Sequence, residues 1–304
     1  MTKLASGTWV VVVTSGYNNV SPGDGKGYVY VLDPMTGVIL KKIQAANASQ
    51  AIGAQSLAPG NASTGSTTTP LGLAKINAWV DDGEVDNTTL RIYGGDLQGH
   101  LWRFNLDTGT AYAVGYVTDS SGVAQPVTTK VEMADVSGVS MVYVGTGRYL
   151  GNTDVATSPP QQQSVYGIKD ATSGVAPAAP IDARGGTMVV QTLTNSPSVV
   201  GVRTLTGNAV DLTTKNGFRI DFPDSGERVN IDMQLILGTL IVSTNVPTPS
   251  VCEPSGYSWS NYLDYKTGGA VIAGGYSGVR GNGLIVGGSE LMKNSPPRGE
   301  PEFA

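Results

Sequence analysis

Four segments of this chain carry one pattern: an alternating aromatic and aliphatic run closed by [DN]-x-x-[ST]-G. They are Tyr28–Gly37 (YVYVLDPMTG), Leu101–Gly109 (LWRFNLDTG), Val165–Gly174 (VYGIKDATSG) and Trp259–Gly268 (WSNYLDYKTG). Period-2 alternation buries one face of a strand. The Asp or Asn side chain caps its own turn, and the glycine supplies a positive φ that other residues resist. Each copy follows another strand-like run: Trp9–Thr14, Leu90–Tyr93, Ser140–Val144 and Leu235–Ser243. The unit is therefore strand, short loop, strand, turn, strand, which is the sequence form of a β-propeller blade.

The turn glycines Gly37, Gly109, Gly174 and Gly268 lie 72, 65 and 94 residues apart, whereas a plain blade needs about 40 to 45. Long insertions or extra strands must fill the excess. Ala45–Thr69, Gly151–Gln163 and Ser173–Gly186 read as loops; Thr187–Leu193, Val199–Leu205 and Phe218–Phe222 alternate as strands do. Ser289–Ala304 has two adjacent prolines and no apolar period, so residues 1–288 form one domain and 289–304 a disordered tail. No window has convincing helical periodicity. The competing fold is a β-sandwich in which such turns recur by chance.

Composition narrows the function classes. Among 304 residues there are 41 Gly and 17 Pro, with 40% hydrophobic and only 14% charged residues, which suits a turn-rich β globule rather than a disordered or coiled-coil chain. The longest run of large apolar residues, Trp9–Val13, falls far short of the roughly 20 needed for a membrane-spanning helix. A net charge of −5 argues against nucleic acid as a partner, since phosphate binding needs a concentrated basic face. One His (His100) and one Cys (Cys252) cannot assemble a His/Cys zinc site, and a nucleophilic triad would have to use His100 itself. His100 reads as a turn residue and Cys252 as a loop thiol. Met1–Leu4 leads almost directly into a strand without a leader pattern, so the chain is either cytoplasmic or a piece of a longer secreted protein.

The phrase IYGGDLQGHLWRFNL (Ile92–Leu106) resembles the hallmark of the PilY/PilC family of type IV pilus biogenesis factors and tip-associated adhesins. The likeness continues in chain order through GTWVVVVTSGYNN (Gly7–Asn19), VYVGTGRYLGNTD (Val142–Asp154) with SVYGIKD (Ser164–Asp170), GERVNIDMQLILGTLIVSTNVP (Gly226–Pro247) and GYSWSNYLDYKTGG (Gly256–Gly269). The resemblance implies an all-β fold, a modified quinoprotein-like β-propeller, incomplete here, with long insertions and almost no helix. It also implies a signal peptide upstream of this chain and an extracellular, pilus-associated location. Family members often carry a calcium loop, D-x-D-x-D-x-x-x-D, just before this hallmark. Here Asp82, Glu84 and Asp86 keep the alternate spacing around Gly83, with Asp81 or Asn87 as further ligands. Val80 and Ala78 stand where two more acids are expected. Calcium wants six to eight oxygens, so the loop is a degenerate candidate, and a solvated acidic hairpin tip is the competing reading.

Asp33, Asn105, Asp170 and Asp264 read as turn formers, and the four tryptophans as core. The expected role is non-enzymatic: support of pilus assembly, resistance to retraction and surface attachment. The insertions would contact minor pilins, other domains of the parent protein or a host surface. The rivals are a quinoprotein-like dehydrogenase and a plain carbohydrate- or host-surface-binding propeller.

Overall fold

Strands that are buried on both faces need neighbours on both sides, and the strands here find them in adjacent blades. The computed structural model describes residues 1–46, 65–80, 83–155, 158–170, 177, 179–248 and 255–286. Among these are 19 strands and one three-residue 3-10 turn, Asn152–Asp154. No described helix is long and apolar enough to cross a membrane.

The first blade is the antiparallel sheet β1 (Thr2–Lys3), β2 (Trp9–Thr14), β3 (Tyr28–Leu32) and β4 (Ile39–Gln44). The second runs β5 (Ile76–Trp79), β6 (Arg91–Gly95), β7 (His100–Asn105) and β8 (Thr110–Tyr116) in the same up-and-down order. The third opens with β9 (Glu132–Val136), β10 (Val139–Gly145) and β11 (Ser164–Asp170). An insertion then supplies β12 (Ile181–Asp182), β13 (Met188–Asn195) and β14 (Val202–Leu205) before the blade is completed by β15 (Gly217–Asp221) against β11. The fourth is β16 (Gln234–Ile236), β17 (Thr239–Pro247), β18 (Gly256–Asp264) and β19 (Gly278–Gly281).

The insertion laces the blades together. β12 adds in parallel to β8 of the second blade. β13 pairs in parallel with β15 over Met188–Thr192, then turns to pair antiparallel with β14 over Leu193–Asn195. Because β14 also pairs with β19, the third and fourth blades merge into one ten-stranded sheet.

Side-chain alternation now has a physical meaning. On β6 and β7, Ile92, Trp102 and Phe104 enter a core shared with Val10, Val29 and Val31 of the first blade, while Tyr93 and Leu101 point the other way. Those two join Val142, Val144, Tyr166 and Ile168 of the third blade, whose alternate residues Met141, Tyr143 and Val165 meet Leu240, Val242 and Leu263 of the fourth. Three cores thus stack four blades in chain order. This is the radial packing of a modified β-propeller. Among the described residues no core cluster joins the fourth blade to the first.

The repeated turn behaves as its chemistry requires. Asp33 Oδ1 accepts from the Met35 and Thr36 amides at 2.9 and 2.8 Å and from Thr36 Oγ1 at 3.0 Å. The Gly37 amide donates to the Asp33 carbonyl at 2.9 Å with φ +72°. Asp264 repeats this arrangement with Lys266, Thr267 and Gly268, and Asn105 does so through Thr108 and Gly109. In the third copy the Asp170 carboxylate reaches into the neighbouring blade; Gly174 lies outside the described residues.

Three expectations are corrected. The apolar run Leu235–Ser243 is two strands, because Leu237 (φ +47°) and Gly238 (φ +79°) turn the chain between β16 and β17. Each blade has four strands rather than three. Trp9 is 44% exposed, unlike Trp102 and Trp259, because the outer face of β2 has no described blade against it.

Candidate functional site

Of the proposed calcium ligands, Asp82 lies outside the described residues, as do Asp81 and Cys252. Glu84 is exposed at the turn. Asp86 Oδ1 accepts from the Thr88 amide and hydroxyl at 3.0 and 2.8 Å and pairs with Lys3 Nζ at 2.5 Å. These contacts, the Lys3 ammonium foremost, hold the Asp86 carboxyl below its ordinary value. The segment lies along β1, with the Thr89 amide donating to the Lys3 carbonyl at 2.9 Å and Lys3 bridging Thr88 in parallel. It therefore docks the second blade on the first. Among the described residues no three metal-ligating side chains gather at one point. Lys3 and Thr88 already take Asp86 Oδ1, so an ion at this loop would compete with the lysine for that oxygen.

The hallmark phrase builds a buried polar knot. Asp96, at the end of β6, accepts from the Gln98 and His100 amides at 2.8 and 3.0 Å, from His100 Nδ1 at 2.9 Å and from Trp102 Nε1 at 2.7 Å. Four donors on one carboxylate satisfy a buried charge that would otherwise be costly. His100 is wholly buried at the start of β7 and orients this knot. It sits in a strand immediately after the turn that the sequence placed it in.

Extended segments lead into the blades, and they converge. Val127 covers the Gly95 backbone and Val229 covers that of Gly145, where a built Cβ would lie 2.3 and 2.7 Å from the valine side chains. Backbone bonds follow the same path: Val127 N to the Asp96 carbonyl at 2.8 Å and Val229 N to the Thr146 carbonyl at 2.9 Å. At the meeting point Asp232 accepts from Lys75 Nζ at 2.7 Å and from the Lys130 amide at 2.8 Å, and Tyr17 donates to the Thr128 carbonyl at 2.6 Å. One spot thus joins all four blades.

Beside this junction Asp154, Pro160, Gln161 and Gln163, described residues of the loop expected to be a binding element (Gly151–Gln163), wall a polar cavity of about 260 Å³ shared by the second, third and fourth blades. Arg148 and Asp154 come from the third blade, Leu97 from the second, Pro126 from the lead-in to the third and Arg228 from the lead-in to the fourth. Arg148 Nε donates to Asp154 Oδ1 at 2.5 Å, and the Leu150 and Gly151 amides donate to Asp154 Oδ2 at 2.8 and 3.1 Å.

Sequence reasoning missed Arg228 and two buried ion pairs, one of which joins two sheets. Arg103 Nη1 reaches both Asp170 oxygens at 2.8 and 2.7 Å, with Tyr93 Oη donating to Oδ2 at 2.6 Å. Arg203 pairs bidentately with Glu227 at 2.7 Å on both arms and lies 3.7 Å from the Trp259 ring centre. Arginines set inside apolar runs (LWRF, GVRTL) were the available signal in a chain so poor in charge.

Radial four-stranded blades, convergent lead-in segments and loops gathered over a polar cavity define a propeller-type scaffold. Its relatives are specific. The chain is 28% identical over 94% of its length to a "Type IV pilus biogenesis factor PilY1 homolog" of Xylella fastidiosa. It is 26% identical over 88% of its length to "Type IV pilus biogenesis factor PilY1" of Pseudomonas aeruginosa strain PAO1. It spans 20% and 25%, respectively, of the length of these two curated relatives. The crystal structure of the Pseudomonas aeruginosa PilY1 C-terminal domain superposes with a TM-score of 0.70 at 23% identity, over 93% of this chain and 65% of that one. No family model matches the chain. The likeness read from the hallmark phrases is borne out across most of the chain, and the fold is that of a PilY1 C-terminal domain.

Proposed function

We propose that this chain is a propeller module of a type IV pilus biogenesis factor, acting at the cell surface without covalent chemistry. The observation that carries the reading is the continuous similarity to PilY1 proteins across nearly the whole chain, on a shared fold. The module supports pilus assembly, counteracts retraction and contributes to attachment. Its loops serve as contacts for minor pilins, for the rest of the parent protein or for a host surface, since rigid scaffolds place function on loops. An in-frame deletion of this chain from its gene, scored by surface pilus counts and twitching zones, tests the proposal. Loss of both is the expected result. Normal piliation and twitching with poor attachment would replace it with a plain adhesin.

Calcium is a separate proposal resting on Asp82, Glu84 and Asp86, in competition with Lys3 for the Asp86 carboxylate. A rise in Tm with calcium, larger in Lys3→Ala, would mark the ion. A melt unchanged by EDTA in both proteins removes it.

A further inference from the structure

The cavity beside the lead-in junction holds a cation without a matching anion. Arg228 is 8% exposed. Its Nε donates to the Gly226 carbonyl at 2.9 Å, and its Nη1 to the Arg148 and Asp154 carbonyls at 2.9 and 2.7 Å. All three partners are neutral backbone oxygens. Among the described residues no carboxylate stands within ion-pair distance of Arg228. Asp154 is the acid of the cavity, and its two oxygens are already taken by Arg148 and two amides. Burial pushes the Arg228 guanidinium below its ordinary value, against the opposing pull of Asp154 and Tyr149. A guanidinium nevertheless stays protonated in proteins, so the site keeps an excess of one positive charge in a place poorly reached by water.

A second observation points the same way. Gln163 also lines the cavity, is 7% exposed, and its amide oxygen Oε1 has no hydrogen-bonding partner among the described residues. Its Nε2 donates to Gln161 Oε1 at 3.1 Å, which fixes the amide so that the oxygen is the orphan. A buried acceptor left unpaired is destabilising. A ligand that brings both an anion and an N–H group would satisfy both residues at once. Pro126 and Leu97 supply apolar lining.

We propose that this cavity binds a peptide-borne carboxylate, with Arg228 and the rim residue Arg148 holding the anion and Gln163 Oε1 accepting an N–H from the same peptide. Carboxylates suit guanidinium groups through paired, charge-assisted hydrogen bonds. The carboxylate can belong to a chain terminus or to an acidic side chain, and the two sources share this chemistry. The assignment does not depend on the pilus reading, because it concerns only what the cavity binds.

The test is an NMR titration of the full chain, read at the arginine Nε–Hε signals, with three probes. N-acetylglycylglycine carries a terminal carboxylate, N-acetylaspartic acid α-amide carries a side-chain carboxylate, and N-acetylglycylglycinamide carries neither. A saturable shift of the Arg228 signal with at least one carboxylate probe, absent with the amide, is the expected result, and the stronger of the two identifies the source. Arg228→Met, provided its spectrum shows a folded protein, should weaken binding about tenfold. Should that variant fail to fold, the comparison of carboxylate and amide probes on the unaltered chain still decides. Equal shifts with all three probes, no saturable shift with either carboxylate, or undiminished binding by folded Arg228→Met would overturn the proposal.

Discussion

The first and third blades start from the same hairpin and finish differently. In the first, β4 begins two residues after the turn glycine Gly37, and the sheet is closed within one stretch of chain. In the third, β15 arrives only at Gly217, after an excursion that gives β12 to the second blade and β14 to the fourth. The turn motif is local hydrogen bonding and specifies a hairpin wherever it occurs. Which strand completes the sheet is decided by distant pairing. A blade interrupted this way becomes a tie between its neighbours, and the buried pair Arg203–Glu227 secures that tie on β14.

The comparison can be broken most strongly at that pair. Arg203→Ala leaves the Glu227 carboxylate buried without a counter-ion and should cost about 3–5 kcal/mol in urea unfolding, whereas Glu227→Ala should cost less because Asp224 Oδ2 stays 3.2 Å from Arg203. The double replacement by Met should recover much of the loss. A loss under 1 kcal/mol in both single variants would show that the lacing is not held there.

A smaller effect separates junctions from turns. Gly145→Val drives a side chain into Val229 between the third and fourth blades, and should cost roughly 1–3 kcal/mol by overpacking. Gly109→Ala meets nothing within 4 Å but keeps a φ of +72°, and should cost about 1 kcal/mol by backbone strain alone. Equal costs, measured by thermal melting, would remove the distinction between the two regions.

Tyr166 sharpens the contact between the second and third blades. Its hydroxyl donates to Gln125 Oε1 at 2.6 Å and lies 2.9 Å from the Thr118 carbonyl, and burial pushes the phenol up to about 12. A folded value above the unfolded one means the stabilisation is complete below about pH 10 and fades as pH rises toward 12. Tyr166→Phe should lower stability at neutral pH by about 1 kcal/mol and flatten the alkaline slope of Tm.

The smallest effect lies on the acid side. Burial pushes the Asp221 carboxyl up, but Arg184, Ser164 and Arg219 pull it below its ordinary value. Asp224 behaves alike: burial is outweighed by Asn195, Trp259, Arg203 and Tyr257. Depressed folded values give stability that is present above about pH 4 and lost as pH falls further. Asp221→Asn should shrink the drop in Tm between neutral and acidic solution, and an unchanged drop would dismiss this carboxylate as a contributor.

Much of the fold was legible because its signals are local. Asp33, Asn105 and Asp264 each cap a turn through backbone amides two or three residues on, so spacing alone carries the information. The first strand of each blade was not legible: β5 and β9 are short and mix polar with apolar residues. The hairpin at Leu237 was hidden because apolar residues continue straight through it. The cavity was legible only as a loop, Gly151–Gln163. Arg228 comes from a segment 74 residues from Asp154, and no periodicity connects the two. Asp170 shows the limit from the other side, since its turn spacing gave no hint of Arg103, 67 residues away.

The double allegiance of β13 carries a mechanical consequence. Its first half is zipped in parallel to β15 and its second half antiparallel to β14, so tension along this strand loads two ladders in shear rather than peeling one bond at a time. The third and fourth blades should therefore yield together, in a single rupture, when the molecule is stretched.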